Sequence, residues 1–339
     1  MEPWPLAALA PYGLTPPLHV LPLAAGAGIN NQVRVVRTGA GQFLWKHLTH
    51  AAPTLIQIEH RLLAWLAEAG LPFGTPQPLA TDTGETLLPV ADGGWQALFR
   101  WLPGEPLARH DPDTFAALGA ALGTLHGTLA VLPADLVPTW ASNGALAAIH
   151  PRVPDPATVT PRELGLPDAA RYRTVLADWR SLVRSLEPFL ARAYRALPQQ
   201  VIHGDFGPGN ALAIGTRITA ILDFEFALRD ARALDLASGL SLTLRYRALP
   251  LPEALALSGA FCAGYARTAR PTPAELAALP QLMLLREVVG SIWWLGRALV
   301  AGDLDPWFAR FDSLLSLRDW LVAHERPWLA AIERAIAAD

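Results

Sequence analysis

Val201-Ile202-His203-Gly204-Asp205-Phe206-Gly207-Pro208-Gly209-Asn210 is the stretch that decides how this chain reads. Two β-branched residues lead into a turn-rich loop, the pattern of a short buried strand that delivers a loop to a fixed place. The loop presents a carboxylate at Asp205 and an amide at Asn210, five residues later. Residues 218–222 repeat the strand pattern and end at Asp223-Phe224-Glu225, which adds a second carboxylate. An amide oxygen and a carboxylate are hard ligands of the kind Mg2+ takes when it also touches substrate phosphates. The remaining carboxylate is then free to orient a hydroxyl and accept its proton.

Outward from this loop, composition sets the bounds. The chain has 339 residues, 52% of them hydrophobic and 17% charged, which fits one large domain or two lobes and not a disordered chain. A net charge of −3 gives the molecule no electrostatic reason to bind nucleic acid or an anionic membrane. No stretch approaches the roughly 18 unbroken apolar residues of a membrane span. The N-terminus lacks the basic start of a signal peptide, and the lone Cys262 fits a reducing compartment. The expectation is a cytoplasmic protein, monomer or homodimer, without nucleic-acid or membrane partners. Of 27 basic residues only Lys46 is a lysine. A compact ammonium differs most from a guanidinium where a point charge must sit beside phosphates.

Residues 1–101 read as strands with one helix. Runs at 18–23, 33–37 and 42–48 alternate around turns, and Lys46 shares a face with Leu44 and Leu48. Residues 54–69 have helical spacing, with Leu55, Ile58, Leu62, Leu63 and Leu66 in one stripe. Glu59 falls inside that stripe, where a carboxylate needs a partner. Strand-like runs follow at 85–90 and 95–101. From Asp111 helical patterns dominate, at 114–132, 169–197, 234–247, 251–268, 273–301 (with a break expected at Pro280) and 305–338. The Pro-rich stretch 133–167 reads as a loop or lid. The expected fold class is α+β, a small β-rich lobe (1–101) and a larger helical lobe (102–339).

These motifs resemble those of the aminoglycoside phosphotransferase and choline kinase superfamily, the small-molecule branch of the bilobal protein-kinase-like fold. The resemblance rests on His203-Gly204-Asp205 with Asn210, on Ile221-Leu222-Asp223-Phe224-Glu225, on Asp235-Leu236-Ala237, and on Phe115, Leu118, Gly119, Leu122, Gly123, Leu125 and His126. It implies that Asp205 is the catalytic base with His203 buttressing its loop, and that Asn210 and Asp223 hold Mg2+. It also implies that Lys46, paired with Glu59, meets the phosphates of ATP or GTP, and that Asp235 ties the loop to a helix. Backbone groups of Phe99 to Trp101 would meet the base of the nucleotide. Gly26, Gly28 and Asn30 would form the phosphate-covering turn, although Asn31 stands where a protein kinase has its third glycine. Only 11 residues separate Asp223 from Asp235, too few for a peptide-docking segment, so the acceptor is expected to be a small molecule.

Residues 285–297, with Arg286, Trp293, Trp294 and Arg297, are similar to the end of the homoserine-kinase-like branch. One reading makes this stretch a pocket wall with an arginine for an anion; the other makes it a core helix. Two rivals to a general small-molecule kinase follow: a homoserine-kinase-type enzyme, and a catalytically silent nucleotide-binding module. The intact set Lys46, Glu59, Asp205, Asn210 and Asp223 argues against silence.

Overall fold

The computed structural model describes residues 5–23, 31–49, 52–90, 93–107, 111–167, 169–245 and 249–338. Gly26, Gly28 and Asn30 lie outside them. In chain order the strands are β1 (His19–Pro22), β2 (Gln32–Thr38), β3 (Gly41–Leu48), β4 (Leu88–Pro89), β5 (Trp95–Arg100), β6 (Glu105–Pro106), β7 (Gln199–Ile202), β8 (Ala211–Ile214), β9 (Arg217–Ile221) and β10 (Leu228–Ala231). The helices are α1 (Pro53–Glu68), α2 (Pro112–Leu129), α3 (Ala170–Ser185), α4 (Glu187–Ala191), α5 (Ala193–Ala196), α6 (Ala233–Arg245), α7 (Leu251–Ala266), α8 (Pro273–Ala301) and α9 (Asp305–Ala338). The fold is α+β, antiparallel sheet early in the chain and helices late.

Two compact units divide the chain. The first holds Met1–Pro106, Leu132–Pro138 and Ala211–Glu225. Its main sheet has the order β1-β2-β3-β5-β4, all neighbours antiparallel. Period-2 alternation sorts β3: Trp45 faces a core of Leu9, Tyr12, Val36 and Leu98, and Lys46 faces the other way. The Trp45 indole donates to Gln96 Oε1 at 3.0 Å, and Gln96 donates onward to the Ala8 carbonyl, so the indole and the amide are both satisfied. A second sheet, β6-β8-β9, joins this unit through Gly74: its N–H donates to Thr219 O at 2.8 Å, and Ile221 N–H donates to Gly74 O at 3.0 Å.

The second unit holds Leu107–Val131, Thr139–Asn210 and Phe226–Asp339. Helices α2 and α7 approach closely because Gly119 and Gly264 remove side chains at the crossing. A Cβ on Gly119 would stand 1.9 Å from the Phe261 carbonyl oxygen, and one on Gly264 1.9 Å from that of Ala116. The Leu-Gly spacing of α2 is thus a helix-packing device that seats His126 and Tyr265 side by side. β7 and β10 pair antiparallel and flank the decisive loop, with Ile202 opposite Leu228.

Several elements depart from the sequence reading. Residues 169–197 form three helices, not one; Pro188 restarts the chain after α3, and Arg192, at φ −124° and ψ −80°, breaks it again before α5. Pro280 does not interrupt α8, which runs unbroken for 29 residues. A proline loses one backbone bond and crowds the turn before it, but Pro280 is buried in a helix whose Leu279, Leu282 and Met283 are fully enclosed. Packing along both flanks holds the axis. By length and composition α8 could cross a membrane, yet 56% of its apolar window is buried inside the protein. Cys262 is buried and its thiol is pushed up to about 12 by desolvation, as expected of an inert core residue.

Candidate functional site

In the first unit, chemistry gathers around Lys46. The antiparallel register sets Lys46 opposite Val33 on β2 and Ala97 on β5, and the small Ala97 leaves room beside the ammonium. Its Nζ lies 3.2 Å from Asp223 Oδ1 and 5.4 Å from the Phe99 ring centroid. Burial alone would lower its proton affinity; Asp223, Glu59 and Glu225 outweigh that and raise it, so Lys46 is firmly charged. The ion pair within contact distance is made with Asp223, and Glu59 acts on the ammonium from further off. Glu59 pays for its place in the α1 stripe with a carboxyl raised to about 8, first by burial and then by Asp223 and Glu225, with Lys46 opposing.

Asp223 is the non-glycine residue with positive φ (66°) among those described. Such a conformation costs on the order of 1 kcal/mol or more and persists where surroundings impose it. Asn31 Nδ2 donates to Glu225 Oε2 at 2.8 Å, so the acid after Phe224 holds the first residue of the strand-bearing stretch 31–49. Phe99 is buried, and its ring meets His60 edge-on. Arg100 N–H already donates to Gln77 O, while Trp101 is exposed. The sequence reading passed over His60, which lies on α1 beside Glu59. It is buried, its Nδ1 bonds Thr86 Oγ1 at 2.8 Å, and burial with Lys46 nearby lowers it to about 4.

In the second unit, the loop after β7 is held from beneath by one buried carboxylate. Asp235, at the start of α6, accepts from His203 N–H (2.7 Å) and Gly204 N–H (2.9 Å), and bonds His126 Nε2 at 3.0 Å. His126 Nδ1 in turn bonds the Tyr265 hydroxyl at 3.0 Å. Gly204 has φ +82°, and a Cβ there would lie 2.0 Å from the Phe226 carbonyl oxygen, so no other residue fits. The fully buried His203 accepts from Asp205 N–H through Nδ1 at 3.3 Å and meets Phe206 edge-on. Asn210 Nδ2 donates to Asp205 O (2.9 Å) and Oδ2 (3.3 Å), which leaves the amide oxygen for a cation.

Asp205 keeps 31% of its side chain exposed and receives Arg286 Nη2 on Oδ1 at 2.5 Å. Arg286 belongs to a chain of charges: its Nη1 lies 3.3 Å from Glu287 Oε1, and Glu287 Oε2 lies 3.3 Å from Arg310 Nη2. Ser241 Oγ donates to Glu287 at 2.9 Å, and Arg286 Nε donates to Ser238 Oγ at 3.3 Å. Gly290 makes room for Arg310, since a Cβ there would stand 2.3 Å from Nη2. The sequence marked residues 285–297 without separating its two readings. The burial pattern does: Arg286, Val289, Gly290, Trp293, Trp294 and Arg297 form a half-exposed stripe, while Glu287, Val288, Ser291, Ile292 and Leu295 are buried. Trp293 meets Phe226 and His150 edge-on at 5.8 and 5.6 Å, and Phe226 meets Trp140 at 6.2 Å. The stretch 133–167 thus supplies Trp140 and His150 to an aromatic surface. Buried Asp230 pins it, accepting from Ser142, Asn143 and Tyr194.

A resident divalent ion is compatible with these donors in one specific sense. No group of three or more His, Cys, Asp or Glu residues suited to a metal occurs among the described residues. Asp223 in the first unit and Asn210 in the second each offer a hard oxygen, the donor type a divalent cation takes when substrate phosphates and water fill the rest of its shell.

Comparison with known proteins agrees with this architecture. A profile described as the phosphotransferase enzyme family matches residues 22–279. A homoserine kinase of Afipia carboxidovorans is 31% identical over 62% of this chain and 59% of its own, so the chain spans under two thirds of that relative. A homoserine kinase of Phenylobacterium zucineum is 28% identical over 81% of this chain and 78% of its own. Among solved structures, an amicoumacin kinase in complex with AMP-PNP and Ca2+ covers 93% of this chain and 92% of its own at 18% identity, with a TM-score of 0.67, a likeness of fold. With the motifs, the sheet-and-helix architecture and the profile in agreement over most of its length, the chain belongs to the phosphotransferase enzyme family, in the small-molecule branch of the protein-kinase-like fold.

Proposed function

We propose that this protein is a small-molecule kinase that transfers the γ-phosphoryl group of ATP to a hydroxyl, with homoserine as the favoured acceptor. The observation that carries the reading is Asp205: a carboxylate on a loop fixed by Asp235, with part of its surface open. Asp205 orients the acceptor hydroxyl and takes its proton as the phosphoryl group moves. Lys46 meets the nucleotide phosphates once its hold on Asp223 is relaxed, and Glu59 is the partner the family resemblance implies for it. Asp223 and Asn210 are the residues that would hold Mg2+, which when bound neutralises phosphate charge and orients the transferring group. His203 and Asp235 act by keeping Asp205 in place, and the backbone of Phe99 to Trp101 receives the base.

Support for homoserine comes from the names of the relatives above and from residues 285–297, where an arginine contacts Asp205. A silent module has no chemical need to keep this lysine, these three acids and this amide together in one sequence. The test is ADP release from Mg-ATP across homoserine, amino alcohols, sugars and aminoglycosides, with Asp205→Asn as blank. Turnover of homoserine well above that blank supports the proposal. Turnover of an aminoglycoside instead sinks the acceptor assignment, and nucleotide binding with no turnover of any acceptor favours the silent module.

A further inference from the structure

Arg286 carries more than its contact with Asp205. A guanidinium has five N–H donors. Three are engaged, by Ser238, Glu287 and Asp205, so two remain without a protein acceptor among the described residues. The side chain is 15% exposed, so this arginine is packed on most sides and open on one. It stands at the head of the half-exposed stripe of α8, four residues before Gly290 and seven before Trp293. Among the described residues the neighbouring charges pair off, with Asp205 and Glu287 facing Arg286 and Arg310. An anion approaching Asp205 alone would be repelled; one approaching this cluster meets the open side of a fixed cation. A planar guanidinium whose rear is held by Glu287 is pre-organised for a carboxylate.

We propose that Arg286 is the anion-recognition residue of the acceptor site, so that this kinase selects hydroxyl substrates carrying a carboxylate. The proposal rests on the reading of Asp205 as base and deepens it. One arginine then touches both the base and the acceptor's carboxylate, which sets the distance between the carboxylate and the reacting hydroxyl. It also makes a polycationic acceptor a poor fit, since its ammonium groups would approach the Arg286–Arg310 pair.

Two compounds isolate the effect: L-homoserine and 3-aminopropan-1-ol, which is the same chain without the carboxylate. Their affinities are measured calorimetrically for the wild-type protein, Arg286→Gln and Arg286→Lys, and kcat and KM are measured in parallel. The wild type is expected to bind homoserine at least about ten-fold tighter than the amino alcohol. Arg286→Gln should narrow that ratio below about two-fold, chiefly through KM, and Arg286→Lys should restore part of it. A wild type without the preference, or with no detectable binding of either compound, overturns the proposal. So does an unchanged ratio in Arg286→Gln with kcat alone reduced, because Arg286 would then only position Asp205. If Arg286→Gln fails to fold, the ratio in Arg286→Lys decides: a ratio equal to that of the wild type counts against the assignment. A clear binding preference with no phosphoryl transfer would sink the kinase reading and leave the anion site standing.

Discussion

The charged cluster around Lys46 and the one around Asp205 follow opposite electrostatic designs. In the first, one ammonium faces Asp223, Glu59 and Glu225, and the Glu59 carboxyl rises to about 8, chiefly through burial, with Asp223 and Glu225 adding to the rise. In the second, two carboxylates face two guanidiniums among the described residues. A cluster short of positive charge is suited to a divalent cation. A balanced cluster with an open guanidinium is suited to an anion without needing one to be stable. The burial cost is handled differently too: the first cluster stores an unfavourable carboxyl, while the second pairs each charge.

The sharpest way to break this contrast is Asp205→Asn. The variant keeps the shape of the loop and should lower kcat by on the order of 10^3-fold, with nucleotide affinity within about two-fold of wild type. Comparable turnover would remove Asp205 as base. Next in size, Asp223→Ala should raise the Mg2+ concentration needed for nucleotide binding by about ten-fold or more, read by a metal titration. An unchanged titration would move the metal role elsewhere. Asp235→Asn tests whether the second cluster depends on its support. Losing a buried anion that accepts two backbone N–H groups should cost about 2–4 kcal/mol by denaturant titration, with kcat down roughly ten-fold. Loss of stability with kcat intact would detach the loop from the chemistry.

The last effect concerns His60 and is confined to acid pH. Its folded value near 4 lies below the ordinary 6.5, so the unfolded chain binds the extra proton between those values. Stability is therefore full above about pH 6.5 and falls as pH drops toward 4, by at most about 3 kcal/mol. His60→Gln should flatten the melting temperature across that window. An equally steep profile in the variant would assign the acid sensitivity to another group.

Much of this could be read from residues close in sequence. The His203–Asn210 loop, the strand ending at Asp223 and the lone Lys46 each carry a local signature, as does the Leu-Gly pattern of α2. What escaped depends on contacts that no local pattern announces. Arg286 reaches Asp205 across 81 positions, and His126 reaches Asp235 across 109. β10 is short and mixed in polarity, and it becomes a strand only because β7 pairs with it. Pro280 misled because helix rules weigh a missing backbone bond and cannot see the side chains packed around it. The pairing of Lys46 with Glu59 came from the family resemblance, and no local pattern announces that Asp223, 177 positions away, lies 3.2 Å from the ammonium.

The most direct measurement of the central claim is phosphorus NMR of Mg-ATP with L-homoserine, run with wild type and with Asp205→Asn. The account predicts loss of the ATP γ-phosphorus signal and growth of a phosphate monoester signal in the wild type, with almost none in the variant. Equal monoester formation in both, or release of inorganic phosphate alone, would contradict it.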